Sequence, residues 1–177
     1  MATEKSLSEL TIGELAKASG MSKSGLFAHF KSKEKLQISV VEHAIELFTE
    51  KVIKQVSREA DPLSQLKQLV QHWIDWYVGN ANSCLFLVAI VEFEQRPGAV
   101  RELLLEQQSR WISYLKKRVA AIVDSEQFRA ETDVEQFVFE LYALFVGSQK
   151  FSWLGLENYK HQRFEKGFQR LVEQSSQ

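Results

Sequence analysis

Residues Thr11 to Phe30 read T-I-G-E-L-A-K-A-S-G-M-S-K-S-G-L-F-A-H-F, two short stretches of helical periodicity around one glycine. Ile12, Leu15, Met21, Leu26 and Phe30 are spaced to form a core shared by two helices, Thr11 to Ser19 and Ser22 to Phe30. Helices that cross closely need a small side chain where they meet, and Ala16 supplies it. The tight turn between them needs a residue that tolerates positive φ, and Gly20 does. The second helix then carries Ser22, Lys23, Ser24, Gly25 and Ala28 outward, a small-residue face that a DNA groove can admit. Two readings of this spacing stay open: an ordinary α-hairpin with a glycine turn, or a DNA-binding helix-turn-helix.

Charge favours the second. Between Lys17 and Lys35 stand five lysines (Lys17, Lys23, Lys31, Lys33, Lys35) against one acid, Glu34. That is a local +4 on a chain of formal charge −1, which leaves −5 for the remainder. A basic head on an acidic body suits docking on phosphates, whereas the net charge alone points to no nucleic-acid partner.

Working outward, the composition bounds the rest. A hydrophobic content of 45% over 177 residues is enough for a real core and argues against disorder. Only 8 Gly and 2 Pro occur, too few for the turns of a β-sandwich or barrel, so long helices are expected. One cysteine, Cys84, rules out an internal disulfide. No apolar run reaches the ~18 residues of a membrane span, and Met1 to Leu10 lack a signal-peptide core. A cytoplasmic location is expected.

The remaining helices follow from periodicity and punctuation. Ser32 is an N-cap with an incomplete capping box, because Lys35 stands where Glu or Gln belongs. From there one helix is predicted to about Arg58, with Leu36, Val40, Ala44, Leu47 and Val52 mostly along one side. Asp61-Pro62 restarts the chain, and Leu63, Leu66, Leu69, Val70, Trp73, Ile74 and Tyr77 follow at helical spacing. Gly79 to Asn82 reads as a loop with Asn82 as an N-cap. Ser83 to about Gln95 is apolar nearly all round and is expected to be buried. After the break at Arg96-Pro97-Gly98 comes Ala99 to Asp124, with Leu103, Trp111, Leu115 and Val119 inward. Thr132-Asp133 caps a helix to about Leu154, and Asn158 to about Glu173 closes the chain. The expected fold class is all-α: about eight helices, no strand, a helix-turn-helix head joined by a long helix to a helical bundle.

Thr11 to Leu36 resembles the core of the TetR-family DNA-binding domain, whose pattern is roughly T-I-x-x-I-A-x-x-A-G-V-S-K-G-x-L-Y-x-H-F-x-S-K-E-x-L. The resemblance implies roles. Thr11 caps the first helix of the motif and lies near a phosphate, and Ser22, Lys23, Ser24 and Gly25 front the recognition helix. His29 and Lys33 match backbone-contacting positions, with Lys33 at a positive helix end. Phe27 stands where the family usually has Tyr; it lacks the hydroxyl that would bond a phosphate. The family also places a helix of ~15–20 residues before this motif. Here ten residues precede Thr11, and Met1 to Leu10 are expected to be too short and polar to replace it. The expectation is a chain that starts late, with Ile12, Leu15 and Leu26 exposed on the back of the head.

The same resemblance implies the rest of the architecture: a DNA-binding domain over 1–45 and a ligand-binding and dimerisation domain over 46–177. Aromatic side chains at helical spacing make either a core or a pocket. The family's ligand cavity would place Trp73, Trp76, Phe86, Trp111 and Tyr142 around an apolar or aromatic effector. The family's four-helix dimer interface would use 134–154 and 158–172, where Ala143, Gly147 and Ser148 are small enough for close helix approach. The implied partners are operator DNA, a small-molecule effector and a second copy of the chain, with no membrane and no cofactor. The implied function is a ligand-responsive regulator, a repressor. The alternative is a helical ligand-binding or dimerisation module that cannot bind DNA because the first helix is absent.

No catalytic or metal site is expected. His29, His43, His72 and His161 form no H-E-x-x-H. His72 and Asp75, at i and i+3, are as well explained by a solvated face. Glu92 and Glu94 point to different sides of a helix. There is no glycine-rich phosphate loop and no G-x-S-x-G. Cys84 reads as a small buried hydrophobe, with a redox sensor at a helix N-terminus as the sharper alternative.

Overall fold

Thr11, Ser22 and Ser32 each adopt extended backbone and accept a hydrogen bond from the N–H three residues on, so each opens a helix. The computed structural model describes residues 6–79, 84–154 and 157–177. Among them are eight α-helices: α1 (Ile12–Ser19), α2 (Lys23–Phe30), α3 (Lys33–Phe48), α4 (Pro62–Gly79), α5 (Leu85–Phe93), α6 (Ala99–Asp124), α7 (Val134–Trp153) and α8 (Glu157–Ser175). No strand occurs among the described residues, only one isolated bridge between Phe128 and Ser176. The all-α expectation holds. The loop and N-cap expected around Asn82 lie outside the described residues.

The chain forms two compact units, and α4 and α6 contribute to both. The first comprises Met1–Ile53 and Trp76–Ser109. Its core includes Leu7, Leu10, Ile12, Leu26, Leu36, Val41, Phe48, Phe86 and Phe93. Phe48 meets Trp76 and Phe86 edge-on, at 6.2 and 6.1 Å between centroids. The second comprises Lys54–Asp75 and Arg110–Gln177, with Leu66, Leu69, Trp73, Trp111, Leu115, Phe128, Phe137, Leu141, Phe145 and Phe164 inside.

Several expectations are corrected. The back of the head is covered after all: Ile12 and Leu26 are buried, and only Leu15 is half-exposed. The segment expected to be too polar also adds apolar core to this unit. Ser6 to Leu10 folds into a turn, with Glu9 N–H donating to Ser6 O and Leu10 N–H to Leu7 O, and it buries Leu7 and Leu10. Met21, expected in the shared core, is instead 57% exposed.

The connecting helix is shorter than predicted. It leaves α-geometry at Phe48 and passes into a π-helical turn, Thr49–Ile53. There the Thr49 hydroxyl donates to Ile45 O at 2.8 Å, a side-chain bond that competes with the regular ladder. Of the predicted stripe Leu36 and Val52 are buried, whereas Val41 and Phe48 take the inward places given to Val40 and Leu47, an offset of one residue, and Leu47 faces out. Gln37 explains the offset, because its amide donates to Leu7 O at 2.8 Å in the interior. In α6 the inward residue is Leu104 rather than Leu103. Helix α5 is not buried all round: Phe86, Ala89 and Phe93 face in, while Val88 and Val91 are exposed. A short helix packs by one side, and a uniformly apolar sequence does not say which.

Asp61 performs the restart assigned to it. It accepts from Ser64 N–H at 3.0 Å and from Gln127 Nε2 at 2.8 Å. The Ser64 hydroxyl and N–H, with the Gln127 amide, hold its carboxyl well below the usual carboxylate range. A depressed folded-state pKa contributes stability that is full above the unfolded value, about 3.9, and is lost as pH falls below it. Asp61→Ala should therefore lower the thermal midpoint at neutral pH. The two midpoints should converge as the pH is taken below 4 in a melting series.

Candidate nucleic-acid interface

The head is assembled by its caps. Glu14 N–H donates to Thr11 Oγ1 at 3.2 Å, and the Glu14 carboxylate sits in the first turn of α1, where the helix dipole favours it. The T-I-G-E spacing is a legible capping signal that the sequence reading assigned only through the family resemblance. Gly20 closes α1 in the left-handed region, φ 68°.

Helix α2 opens with Gly25 N–H donating to Ser22 Oγ at 3.1 Å. A Cβ added at Gly25 would lie 3.0 Å from that oxygen, so glycine leaves the cap room. Only Leu26 of α2 is buried, and Lys23, Ser24, Gly25, Phe27, Ala28 and His29 are all exposed. Phe27 is 57% exposed and therefore free to meet a partner rather than packed in the core. The His29 ring stands edge-on to Phe30 at 4.6 Å.

The exit from α2 carries a feature that sequence reasoning missed. Lys31 adopts φ 65° and its N–H donates to Phe27 O at 2.7 Å. This left-handed residue ends α2 and lets Ser32 open α3, where Lys35 N–H donates to Ser32 Oγ at 3.1 Å. Lys33 is then the first residue of α3. The five lysines of the head are all exposed. A helix presenting small residues, with lysines before and after it and a second helix N-terminus beside Lys33, is an arrangement for phosphates.

The five aromatic residues assigned to a cavity fall into two groups. Trp73, Trp111 and Tyr142 are together in the second unit, and Trp76 and Phe86 surround Phe48 in the first. Trp73 stacks on Phe145 at 4.0 Å and meets Trp111 edge-on at 5.0 Å. Phe145, Tyr114 and Arg118 were missed. Tyr114 stacks on Trp111, and Arg118 lies over Tyr114 while donating to its hydroxyl and to Gln65. The i, i+4 spacing of Tyr114 and Arg118 was the available signal. In the same unit, the buried Gln149 Nε2 and the His72 Nδ1 have no hydrogen-bond partner among the described residues. Cys84 stands at the N-cap of α5 without a side-chain cap bond, and burial pushes its thiol up, away from the reactive thiolate.

Helices α7 and α8 pack into a hairpin. Where they meet, a Cβ on Gly167 would fall 2.7 Å from Leu144 Cδ2. Along this hairpin Phe139, Ala143, Phe151 and Leu154 are exposed, and a Cβ on Gly147 would meet nothing within 4 Å. A groove of about 630 Å³ runs between the two helices, lined by Ala143, Leu144, Gly147, Phe151, Phe164 and Gly167. Glu140, Arg163 and Arg170 stand at its edge.

Residues 1–40 match the family model described as bacterial regulatory proteins of the tetR family, and 62–168 match a tetracyclin repressor-like C-terminal domain. Among solved structures the chain is similar to a TetR-family transcriptional regulator from Streptomyces coelicolor. That match has 15% identity and a TM-score of 0.82 over 99% of this chain and 90% of that one. It is similar also to AibR in complex with isovaleryl coenzyme A and operator DNA, at 21% identity, TM-score 0.67, over 84% and 80%. A transcriptional regulator from Saccharomonospora viridis in complex with choline matches at 16% identity, TM-score 0.79, over 97% and 89%. No curated protein sequence matches significantly. Identities this low speak to the fold, and the two family models speak to descent. With its head and its C-terminal helices both matched, the chain belongs to the TetR family of transcriptional regulators.

Proposed function

We propose that the protein is a homodimeric repressor that binds operator DNA through α1 and α2 and leaves it when a small apolar or aromatic ligand binds. The observation that carries the reading is the exposed face of α2 together with five exposed lysines. Ser22, Lys23, Ser24 and Gly25 read bases and phosphates at the front of α2. Thr11, Phe27, His29 and Lys33 contact or line the backbone. The alternative of a module without DNA binding is disfavoured by the N-terminal family match and by the buried Leu7 and Leu10.

Functionally, 1–45 is the DNA-binding domain and 46–177 the sensing and dimerising one. The ligand contacts are Trp73, Trp111 and Tyr142 in the second unit, where the unpartnered Gln149 amide offers a hydrogen bond to a ligand acceptor. That AibR was solved with an acyl coenzyme A and the S. viridis regulator with choline supports small-molecule control, with an effector that differs between relatives. The dimer forms through 134–154 and 158–172, supported by the outward stripe Phe139, Ala143, Phe151 and Leu154. Ligand shifts the population toward a spacing of the two heads that no longer fits two half-sites. No helix among the described residues is long and apolar enough to cross a membrane, and a repressor of this kind works in the cytoplasm.

Lys33 tests the DNA reading. Lys33→Ala should weaken binding to operator and random duplex about equally and reduce the salt slope by roughly 1 for each phosphate no longer neutralised. Substitutions at Ser24 or Gly25 should change sequence preference instead. Salt titrations on both duplexes separate these outcomes, and a Lys33→Ala protein with altered preference but an unchanged slope would reverse the assigned roles.

A further inference from the structure

We propose that Glu92, on α5, is a positioning residue for DNA binding that latches the N-terminal turn and through it sets the orientation of α1. The inference rests on the operator-binding reading above. Ser8 N–H donates to Glu92 Oε2 at 2.9 Å across 84 residues of sequence. At the adjacent residue, Gln37 Nε2 of α3 donates to Leu7 O at 2.8 Å. The turn is thus held at two consecutive residues, by a carboxylate from α5 and an amide from α3, and between them Leu7 is fully buried.

The chain then runs through buried Leu10 directly into Thr11, whose hydroxyl caps α1. Any displacement of the turn moves that cap and the first turn of α1. A second approach involves the exit of α5: Glu34, in the first turn of α3, has Oε1 3.3 Å from the position a Cβ would take on Gly98. All these residues belong to one compact unit, so α5 and the 96–98 turn fold with the head. A carboxylate bonded to a backbone N–H is among the stronger hydrogen bonds, and removing it leaves a part-buried donor without a partner.

The sign of the effect on DNA separates this role from simple charge. Removing an acid from the neighbourhood of a polyanion site should tighten binding if Glu92 acts only through its field. As a latch, Glu92→Ala should instead weaken binding roughly tenfold, with the salt slope unchanged because every lysine that pairs with phosphate is still in place. Glu92→Gln keeps an acceptor for Ser8 N–H and removes the charge, so it should bind as well as the wild type or better.

The experiment measures full-length wild type, Glu92→Ala and Glu92→Gln against a short random-sequence duplex at several salt concentrations, with amide exchange over Ser8 to Leu15. Helicity and molecular mass establish that the variants fold. The expected result is weaker binding and faster exchange for Glu92→Ala, both restored in Glu92→Gln. Binding by Glu92→Ala equal to or tighter than wild type, with unchanged exchange, overturns the latch. If the wild type binds no duplex, the operator reading fails, and exchange alone then decides: unchanged rates in Glu92→Ala overturn the proposal, and faster rates restored by Glu92→Gln uphold the positioning of α1.

Discussion

Gly147→Leu is expected to convert the protein from a dimer to a monomer without unfolding it. Gly147 lines the open groove between α7 and α8, and a Cβ there meets nothing within 4 Å. A β-carbon therefore has room inside one chain, the groove offers about 630 Å³ for the rest of the side chain, and replacing a mid-helix glycine raises helix propensity by up to ~1 kcal/mol. In the proposed dimer the same position faces a second copy across helices that need small residues to approach closely. Overpacking typically costs ~1–3 kcal/mol per site, and a two-fold interface meets the substitution twice, so the dimer should weaken by about two orders of magnitude or more. Light scattering at micromolar concentration reads the mass, and a melt of the dilute protein reads the monomer's stability. Gly167→Leu supplies the contrast, because its β-carbon already lies 2.7 Å from Leu144 Cδ2 of its own chain, so Leu144 must move and the monomer's melting point should fall. A Gly147→Leu protein that remains a dimer of wild-type affinity would remove this face from the interface.

Leu7→Asp is expected to melt the head while leaving the second unit folded. Leu7 has no exposed surface, and the substitution both removes an apolar side chain and introduces a charge with no assigned partner. Loss of the leucine alone costs ~2–5 kcal/mol, and burying an unpaired carboxylate adds several more, a total comparable with the whole stability of a domain. Amide exchange should rise throughout residues 11–30 and DNA binding should vanish. Residues 134–153, including the helix carrying Phe145, should keep their protection. Leu7→Met, close in volume, should cost less than ~1.5 kcal/mol and retain binding. Unchanged protection of α1 and α2 in Leu7→Asp would mean that the N-terminal turn does not support the head.

Much of the chain was legible in its residues because the signals are local. Caps at Thr11, Ser22, Ser32, Asp61 and Asp133 announce helix starts through a side-chain oxygen within reach of an N–H three residues on. Periodicity placed α6 at its observed bounds, Ala99–Asp124, and α7 to within a residue. The α3 terminus was not legible, since a threonine hydroxyl bonding back to Ile45 O looks in sequence like any helical threonine. Nor was the split of the five aromatics into two groups, because helical spacing orders residues around one axis and says nothing about which helix lies opposite.

The all-α class, the helix-turn-helix between Thr11 and Phe30, its basic character and the family were all legible in the residues. The first three follow from spacing, capping chemistry or charge within a few tens of residues, and the family follows from the likeness of Thr11 to Leu36 to its motif. The packing of the N-terminal turn depends instead on contacts between distant elements. Leu7 and Leu10, two apolar residues in a polar run, become core because Gln37 from α3 and Glu92 from α5 hold their turn in place. Those partners lie 30 and 84 residues away. A polar residue turned inward to satisfy a distant backbone group carries no periodic signature, so its role exists only once the chain has folded around it.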